Sequence, residues 1–99
     1  SSSLYAARCA MCHGAEGRGD GYNARYLRAS PAVHASADSM SRRPDDTLFD
    51  GIHAGGAILG GSPEMPAFAE SLTARQIAGL VAYIRQLCKC RGPAWAEGR

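Results

Sequence analysis

The chain has few aromatic residues and no long hydrophobic run. Aromatic residues make up 7% of its 99 residues, and the hydrophobic fraction of 45% includes many alanines. A chain of this length has room for one domain with one core. Because alanine buries little apolar area, we expect a thin core that needs a further apolar group to complete it. No run of about 18 apolar residues occurs, so we expect no membrane-spanning helix.

Lysine is also scarce, and the basic residues are not clustered. The 11 basic and 9 acidic residues leave a formal net charge of +2, and Lys89 is the single lysine. The densest basic pair, Arg42-Arg43, is followed closely by Asp45 and Asp46. Nucleic-acid-binding segments usually contain a basic block of about 5–8 residues. The sequence has no such block, and we expect no nucleic acid among its partners.

One short motif indicates a cofactor. Cys9, Cys12 and His13 form the pattern Cys-x-x-Cys-His, which is typical of c-type haem attachment. On a helical turn the two cysteines share one face, so both sulfurs can bond to the vinyl groups on one side of a porphyrin. The imidazole of His13 follows directly and can reach the iron. We therefore predict one haem c, attached covalently through Cys9 and Cys12 and ligated by His13.

Two further cysteines leave other possibilities open. Cys88 and Cys90 could complete a structural zinc site with Cys9 and Cys12. The two arms of such a four-cysteine module would be unequal and about 75 residues apart, which matches no common zinc module. In an oxidising compartment, Cys88 and Cys90 could instead pair with each other, join two chains or stay free.

The second axial position of the predicted haem decides its chemistry. An open position permits small-ligand binding, whereas a closed one restricts the iron to electron transfer. Met65 is the preferred ligand, because Pro63 and Pro66 stiffen the loop around it. We expect His53 to face solvent at a helix end. The alternative ligands are Met40, His34 and His53, whereas Met11 lies inside the attachment motif and cannot reach the far face of the haem.

The hydrophobic pattern predicts three main helices and no strand. The helices are expected over residues 2–13, 44–54 and 73–87. Thr73 and Gln76 form a capping box at the start of the last helix, whose apolar residues recur at helical spacing. The fold class is therefore all-α.

Loops occupy the rest of the chain. The glycine-rich stretch 14–21 and the long segment 57–72 are predicted loops, and residues 35–41 are also expected to be loop. We expect one domain over residues 1–90, followed by a loose tail over residues 91–99.

Several segments together resemble a known family. The chain resembles the class I monohaem cytochromes c of bacteria in four segments, which follow one another in the same order. They are residues 9–14, 17–21, 62–68 and 80–85. The resemblance covers about residues 2–88. It implies the small cytochrome c fold, with three main helices and loops around one haem. The first and last helices would cross where Tyr5 meets Leu80 and Tyr83.

The resemblance also implies particular ligands. The iron would be six-coordinate, with His13 as proximal and Met65 as distal ligand. In the family, a proline carbonyl after the Gly-Asp-Gly stretch accepts a hydrogen bond from the proximal histidine. Tyr22 occupies that place here and Pro31 comes later, so the acceptor stays open between these two carbonyls.

The expected function is electron transfer and not enzymatic catalysis. Redox proteins would dock transiently at the haem edge near Cys12, on apolar residues that include Ala15, Ile58, Leu59 and Ala67.

Since covalent haem attachment in bacteria takes place outside the cytoplasmic membrane, we expect a periplasmic protein whose export signal is absent from this chain. A role in denitrification, with nitrite reductase or the synthesis of its haem, is a more specific hypothesis.

Two alternatives concern the same haem. A labile sixth ligand would make the protein a haem-based sensor or small-ligand binder. The oligomeric state stays open between a monomer and a dimer, because the glycines at 55–56 and 60–61 could act as a hinge. A partner's methionine could then reach the iron in a domain-swapped dimer.

Overall fold

The computed structural model describes residues 2–27, 31–56 and 65–96. Within these ranges the chain forms helices and turns and no strand. The α-helices are α1 (Ser2–Arg8), α2 (Ala10–His13), α3 (Ala37–Met40), α4 (Asp45–Ala54) and α5 (Ala74–Cys88), with 3₁₀ turns at Ala24–Tyr26 and Ala94–Ala96. None of the helices that the structure describes is long and apolar enough to cross a bilayer. The all-α prediction is confirmed.

The predicted first helix is divided at Cys9. Its backbone lies at φ −118° and ψ −33°, so α1 ends at Arg8 and α2 begins at Ala10. Helical hydrogen bonds remain on each side of the division. The Cys9 N–H donates to the Tyr5 carbonyl at 2.8 Å, and the His13 N–H donates to the Cys9 carbonyl at 2.9 Å. The Cys12 N–H, however, donates three residues back to the Cys9 carbonyl at 3.2 Å, so the helical pattern is interrupted at the first cysteine.

The longest helix, α5, begins at a complete capping box. The Thr73 hydroxyl accepts a hydrogen bond from the Gln76 N–H at 3.1 Å, and the Gln76 side chain accepts one from the Thr73 N–H at 2.8 Å. These bonds satisfy two donors that a helix start leaves free. The capping box predicted from the sequence is confirmed.

The core lies where α1 and α4 pack against α5. Tyr5 of α1 is 1% exposed, and its ring centroid lies 5.0 Å from that of Tyr83 on α5. From α4, Leu48 and Ile52 are buried. The largest fully buried side chains are Tyr5, Met40, Ile77 and Leu80. The contact of Tyr5 with the Tyr83 side of α5 agrees with the predicted meeting of the first and last helices.

The short helix α3 contradicts the expected loop at 35–41. Ser36 caps it, since the Ser36 hydroxyl accepts a hydrogen bond from the Ser39 N–H at 3.2 Å. Four helical residues are too few to show a hydrophobic period, which is why the pattern missed them. The helix carries Met40 into the core, where the side chain is fully buried.

A largely buried arginine ties α5 to the connection between α3 and α4. Arg85 donates to the Asp45 carboxylate at 2.7 Å and to the Met40 carbonyl at 2.8 Å, and it also bonds to the Arg43 carbonyl. Its side chain is only 13% exposed. A guanidinium that satisfies several distant acceptors fixes the position of the segment that it bridges.

The last two cysteines form a disulfide with each other. The Cα atoms of Cys88 and Cys90 lie 5.2 Å apart. Lys89 between them has φ 53° and ψ 44°, and it ends α5 in the left-handed conformation. Of the three states that the sequence left open for these cysteines, the structure contains the intrachain pair.

Candidate cofactor site

Two cysteine sulfurs lie one helical turn apart around α2. Cys9 is 7% exposed and Cys12 is half-buried, and neither is in a disulfide. Burial raises the pKa of the Cys9 thiol to about 11, and nearby Arg8 opposes this shift. The Cys12 N–H donates to the Cys9 carbonyl at 3.2 Å, which keeps the two residues in a helical turn. Both sulfurs are thus available for thioether bonds on one face of the helix.

The imidazole of His13 has a fixed orientation. Its Nδ1 lies 2.9 Å from the Ala32 carbonyl oxygen, and because a carbonyl only accepts, Nδ1 carries the proton. The other nitrogen, Nε2, is therefore unprotonated in the neutral ring and can bind a metal. Burial lowers the pKa of His13, and the bond to Ala32 partly opposes this. The neutral ring is the form that a metal ligand requires.

The carbonyl that orients His13 differs from both candidates named from the sequence. Neither Tyr22 nor Pro31 supplies it; the acceptor is Ala32, the residue after Pro31. The bond joins residues 19 positions apart in the chain. Which carbonyl accepts the bond from His13 depends on how residues 31–34 pass α2. No local sequence pattern reveals that path.

A second histidine lies against the first. The ring centroid of His34 is 4.0 Å from that of His13, and the ring planes are 17° from parallel. His34 Nδ1 lies 2.8 Å from the hydroxyl of Tyr5 in a buried hydrogen bond. Burial, with smaller contributions from His13 and Arg43, lowers the pKa of His34 to about 3. The imidazole of His34 thus packs against the face of the His13 ring and supports it. Because it lies beside His13, it is not placed to bind an iron on the side opposite to His13.

The glycine-rich loop closes over α2. Backbone N–H groups in the loop and just after it donate to the carbonyls of the motif: Gly19 to His13 at 2.8 Å, Gly21 to Cys12 at 3.1 Å and Asn23 to Met11 at 2.7 Å. A Cβ on Gly21 would come within 2.4 Å of the Ala10 and Met11 carbonyl oxygens. Only glycine permits this close backbone approach. The loop thereby satisfies carbonyls that the end of a helix leaves free.

Met65 is held by the end of α4. Its side chain is half-buried against the core, and its carbonyl accepts a hydrogen bond from the Gly56 N–H at 3.2 Å. Gly55 has φ 91°, and a Cβ there would lie 3.1 Å from the Met65 carbonyl oxygen. Farther along, the Phe68 N–H donates to the Ile52 carbonyl at 3.0 Å. Helix α4 therefore anchors the backbone on either side of Pro66, whereas Pro63 lies outside the described residues.

The alternative ligands occupy other environments. Met40 is buried in the core, and Met11 is part of α2. His53 is exposed, and its ring lies against Phe49 with centroids 5.8 Å apart. The expectation that His53 faces solvent is confirmed.

The surface around the motif is partly apolar. Of the predicted docking residues, Ala15 and Ala67 are exposed, whereas Ile58 and Leu59 lie outside the described residues. The structure adds Tyr22 to the residues of the predicted docking surface. Its side chain is 74% exposed, and it follows directly after the loop that covers α2. Tyr26 is 71% exposed, and the guanidinium carbon of Arg25 lies 5.1 Å from its ring centroid.

The donor set does not fit a zinc module. The sulfurs of Cys88 and Cys90 are bonded to each other, so they cannot be thiolate ligands together with Cys9 and Cys12. In the part of the chain that the structure describes, no group of three or more His, Cys, Asp or Glu residues could hold a metal ion. The zinc alternative is therefore wrong for this structure.

Two free thiols on one helical turn, followed by a histidine with one free ring nitrogen, are the groups that covalent attachment and ligation of a haem require. Residues 2–88 match the family model described as cytochrome c, and the chain belongs to this family. Members of the family carry covalently bound haem c and are typically electron carriers and not enzymes. The predicted family, fold and cofactor are confirmed.

Two known proteins extend the comparison. The chain is 29% identical, over 100 residues, to one of the subunits of nicotinate dehydrogenase from Pseudomonas putida. This match covers 93% of the chain, which spans 7% of that relative's length. The chain is also similar to the solved structure of the KustC0563 c-type cytochrome, with a TM-score of 0.69 and 28% identity. That match covers 87% of this chain and 94% of the other.

Proposed function

We propose that this cytochrome c is a single-electron carrier whose iron is held by His13 and Met65 and whose macrocycle is bonded to Cys9 and Cys12. The observation that carries the proposal is the hydrogen bond from His13 Nδ1 to the Ala32 carbonyl. It leaves Nε2 free and fixes the plane of the imidazole. A haem c bound there supplies one reversible electron through its iron.

The protein contributes by keeping the proposed ligands, His13 and Met65, in place while the charge on the iron changes. The Ala32 bond and the stacked His34 hold the ring of His13. The backbone of Met65 is held by Gly56, which lies just beyond the end of α4. Rigid ligands reduce the rearrangement that accompanies electron transfer, and a thioether ligand raises the reduction potential. A closed distal side would exclude small ligands.

The donor is proposed to be a dehydrogenase in the periplasm. This proposal is supported by the similarity to a segment of the nicotinate dehydrogenase of Pseudomonas putida, because that relative is itself part of a dehydrogenase. The role in denitrification stays a prediction. The donor is tested by mixing the ferric protein with a dehydrogenase encoded beside this chain: addition of the dehydrogenase's substrate should reduce the haem. The acceptor is tested separately, and reoxidation of the ferrous protein by nitrite reductase would favour the role in denitrification.

The docking surface is proposed to lie beside Cys12. The exposed rings of Tyr22 and Tyr26 offer apolar area next to the loop that covers α2, and Ala15 lies in the same loop region. Small interfaces of this kind suit partners that must separate quickly.

The protein is proposed to act as a monomer, and a single monomeric species in size-exclusion chromatography at high concentration would exclude the domain-swapped dimer.

The ligand assignment is tested with Met65→Ala and a matched control, Met40→Leu. The ferric holoprotein should show the weak near-infrared band of methionine bound to iron, and Met65→Ala should abolish it. Met40→Leu conserves volume in the core and should keep the band. A pyridine haemochrome assay would check that both variants carry haem c. A band that persists in Met65→Ala would overturn the assignment.

Carbon monoxide distinguishes the carrier from the sensor. The ferrous wild type should not bind carbon monoxide, because Met65 occupies the sixth position, whereas ferrous Met65→Ala should bind it. Rapid binding by the wild type would instead support the haem-based sensor.

A further inference from the structure

The Cys88–Cys90 disulfide is a weak structural cross-link. It closes a ring of only three residues, and a disulfide stabilises mainly by restricting the unfolded chain, to a degree that increases with loop length. Within the described residues, Lys89 is the only non-glycine residue with a positive φ. A side chain in the left-handed region carries a conformational cost. We therefore expect the pair to contribute little to stability.

The two sulfurs differ in access. Cys88 is 4% exposed and belongs to the core, whereas Cys90 is half-buried at the surface and Lys89 is exposed. Thiol–disulfide exchange requires a thiolate to approach one sulfur directly. Cys90 is therefore the more accessible of the two cysteines to an external thiolate.

A fixed positive charge lies beside the accessible sulfur. The Nη1 atom of Arg85 is 3.7 Å from Cys90 Sγ. The guanidinium cannot swing away easily, because it also bonds to Asp45 and to the Met40 carbonyl. A neighbouring guanidinium attracts an incoming thiolate to Cys90 and stabilises the Cys90 thiolate that the second exchange releases.

The surroundings of the buried sulfur suit its reduced form. Cys88 Sγ lies 3.5 Å from the Arg85 carbonyl oxygen and 3.8 Å from the Cys90 carbonyl oxygen. Either oxygen can accept a hydrogen bond from a Cys88 thiol. Reduction would then leave no unsatisfied donor in the core.

From this geometry we propose that Cys88 and Cys90 form a second redox site, which exchanges two electrons with a dithiol protein. The partner's thiolate attacks Cys90 Sγ, the bond between Cys88 and Cys90 breaks, and Cys88 leaves as a thiolate that takes up a proton. The partner's second thiolate then attacks the partner's own sulfur in the mixed disulfide. The partner becomes a disulfide, and Cys90 leaves as a thiolate beside Arg85. The Cys90 thiolate takes up a second proton, so the chain has gained two electrons and two protons and both cysteines end as thiols.

The holoprotein gives a direct test, because Cys9 and Cys12 are then thioethers and do not react with maleimide. The native protein is incubated in glutathione buffers of increasing reduced fraction, quenched with acid and labelled, and the labels are counted by intact mass. We expect no label on the oxidised protein and two labels after incubation in buffers rich in reduced glutathione, with an unchanged visible spectrum. A disulfide that resists reduction until urea unfolds the protein would show a purely structural pair.

Variants test the role assigned to Arg85. Arg85→Gln should slow reduction by dithiothreitol about tenfold, whereas Arg85→Lys should retain much of the wild-type rate. Arg75→Gln removes an exposed charge from the same helix and is the control. Equal rates in the wild type and Arg85→Gln would overturn the role of the guanidinium. Urea unfolding of each variant separates this effect from a loss of folding.

A trapping experiment identifies the attacked sulfur. Thioredoxin whose second cysteine is replaced by serine should form a covalent adduct with the native holoprotein through Cys90. The Cys88→Ser, Cys90→Ser double variant should form none. Absence of an adduct with the wild type, or an adduct through Cys88, would contradict the proposed direction of attack.

Discussion

The imidazole of His34 stacks on that of His13 at a centroid distance of 4.0 Å. His34 is in turn held by Tyr5, whose hydroxyl lies 2.8 Å from its Nδ1. Tyr5 also packs against Tyr83 of α5, so the position of the predicted iron ligand is linked to the contact between α1 and α5. The fold and the ligand are thereby supported by the same side chains.

Replacement of His34 by alanine should be strongly destabilising. His34 is 8% exposed, and its removal leaves a cavity beside His13 and a buried Tyr5 hydroxyl without its partner. We expect the free energy of unfolding to fall by about 2–4 kcal/mol, measured by urea denaturation of the holoprotein. Tyr5→Phe keeps the ring and removes only the hydroxyl, so it should cost about 1–2 kcal/mol. Equal losses in the two variants would contradict a packing role for His34.

Stability should decrease on acidification because His34 is buried in its neutral form. Its pKa is lowered from 6.5 to about 3, mainly by burial. Above pH 6.5 the folded and unfolded chains are both neutral at this residue. Between that pH and about 3, the unfolded chain binds a proton that the folded chain excludes. The free energy of unfolding should therefore fall by up to about 1.4 kcal/mol per pH unit.

The measurement is urea denaturation at about pH 7 and about pH 5, in the wild type and in His34→Leu. Leucine cannot titrate, and the comparison cancels the contributions of groups that both proteins share. The wild type should lose about 2 kcal/mol more than the variant between these two pH values. An identical pH dependence in both proteins would mean that His34 is not buried neutral.

Gly55→Ala should disturb the Met65 segment. Gly55 has φ 91°, where alanine is strained, and the new Cβ would lie 3.1 Å from the Met65 carbonyl oxygen. We expect a loss of about 1–3 kcal/mol in urea denaturation and a weaker near-infrared band. Gly51→Ala, inside α4, is the control, because alanine is the better helix former and should be neutral or stabilising. A full-strength band and unchanged stability in Gly55→Ala would show that this glycine does not anchor Met65.

Tyr22→Ala should slow electron exchange with partners without changing the haem. The Tyr22 ring is 74% exposed and next to the loop that covers α2. Loss of an interface aromatic typically costs about 1–2 kcal/mol of binding. Stopped-flow mixing with a redox protein should therefore give a lower second-order rate at an unchanged visible spectrum. Trp95→Ala removes an equally exposed ring at 69% and is the control; a matching decrease there would exclude a specific surface at Tyr22.

The sequence alone determined the features that depend on neighbouring residues. Cys9, Cys12 and His13 are close because a helical turn brings residues three and four apart together, and Thr73 with Gln76 capped α5 for the same local reason. The positions of the long helices and the nature of the cofactor followed from these patterns. The short helix α3 was missed because four residues show no period.

Only the tertiary structure decided which distant groups complete the site. The bond from His13 to Ala32 spans 19 positions, that from Tyr5 to His34 spans 29, and the bond from Arg85 to Met40 spans 45. Such partners depend on the path of the chain between the helices, and no rule of spacing encodes that path. Local hydrogen bonding therefore fixed the attachment motif, whereas the packing of α1, α4 and α5 fixed the surroundings that orient it.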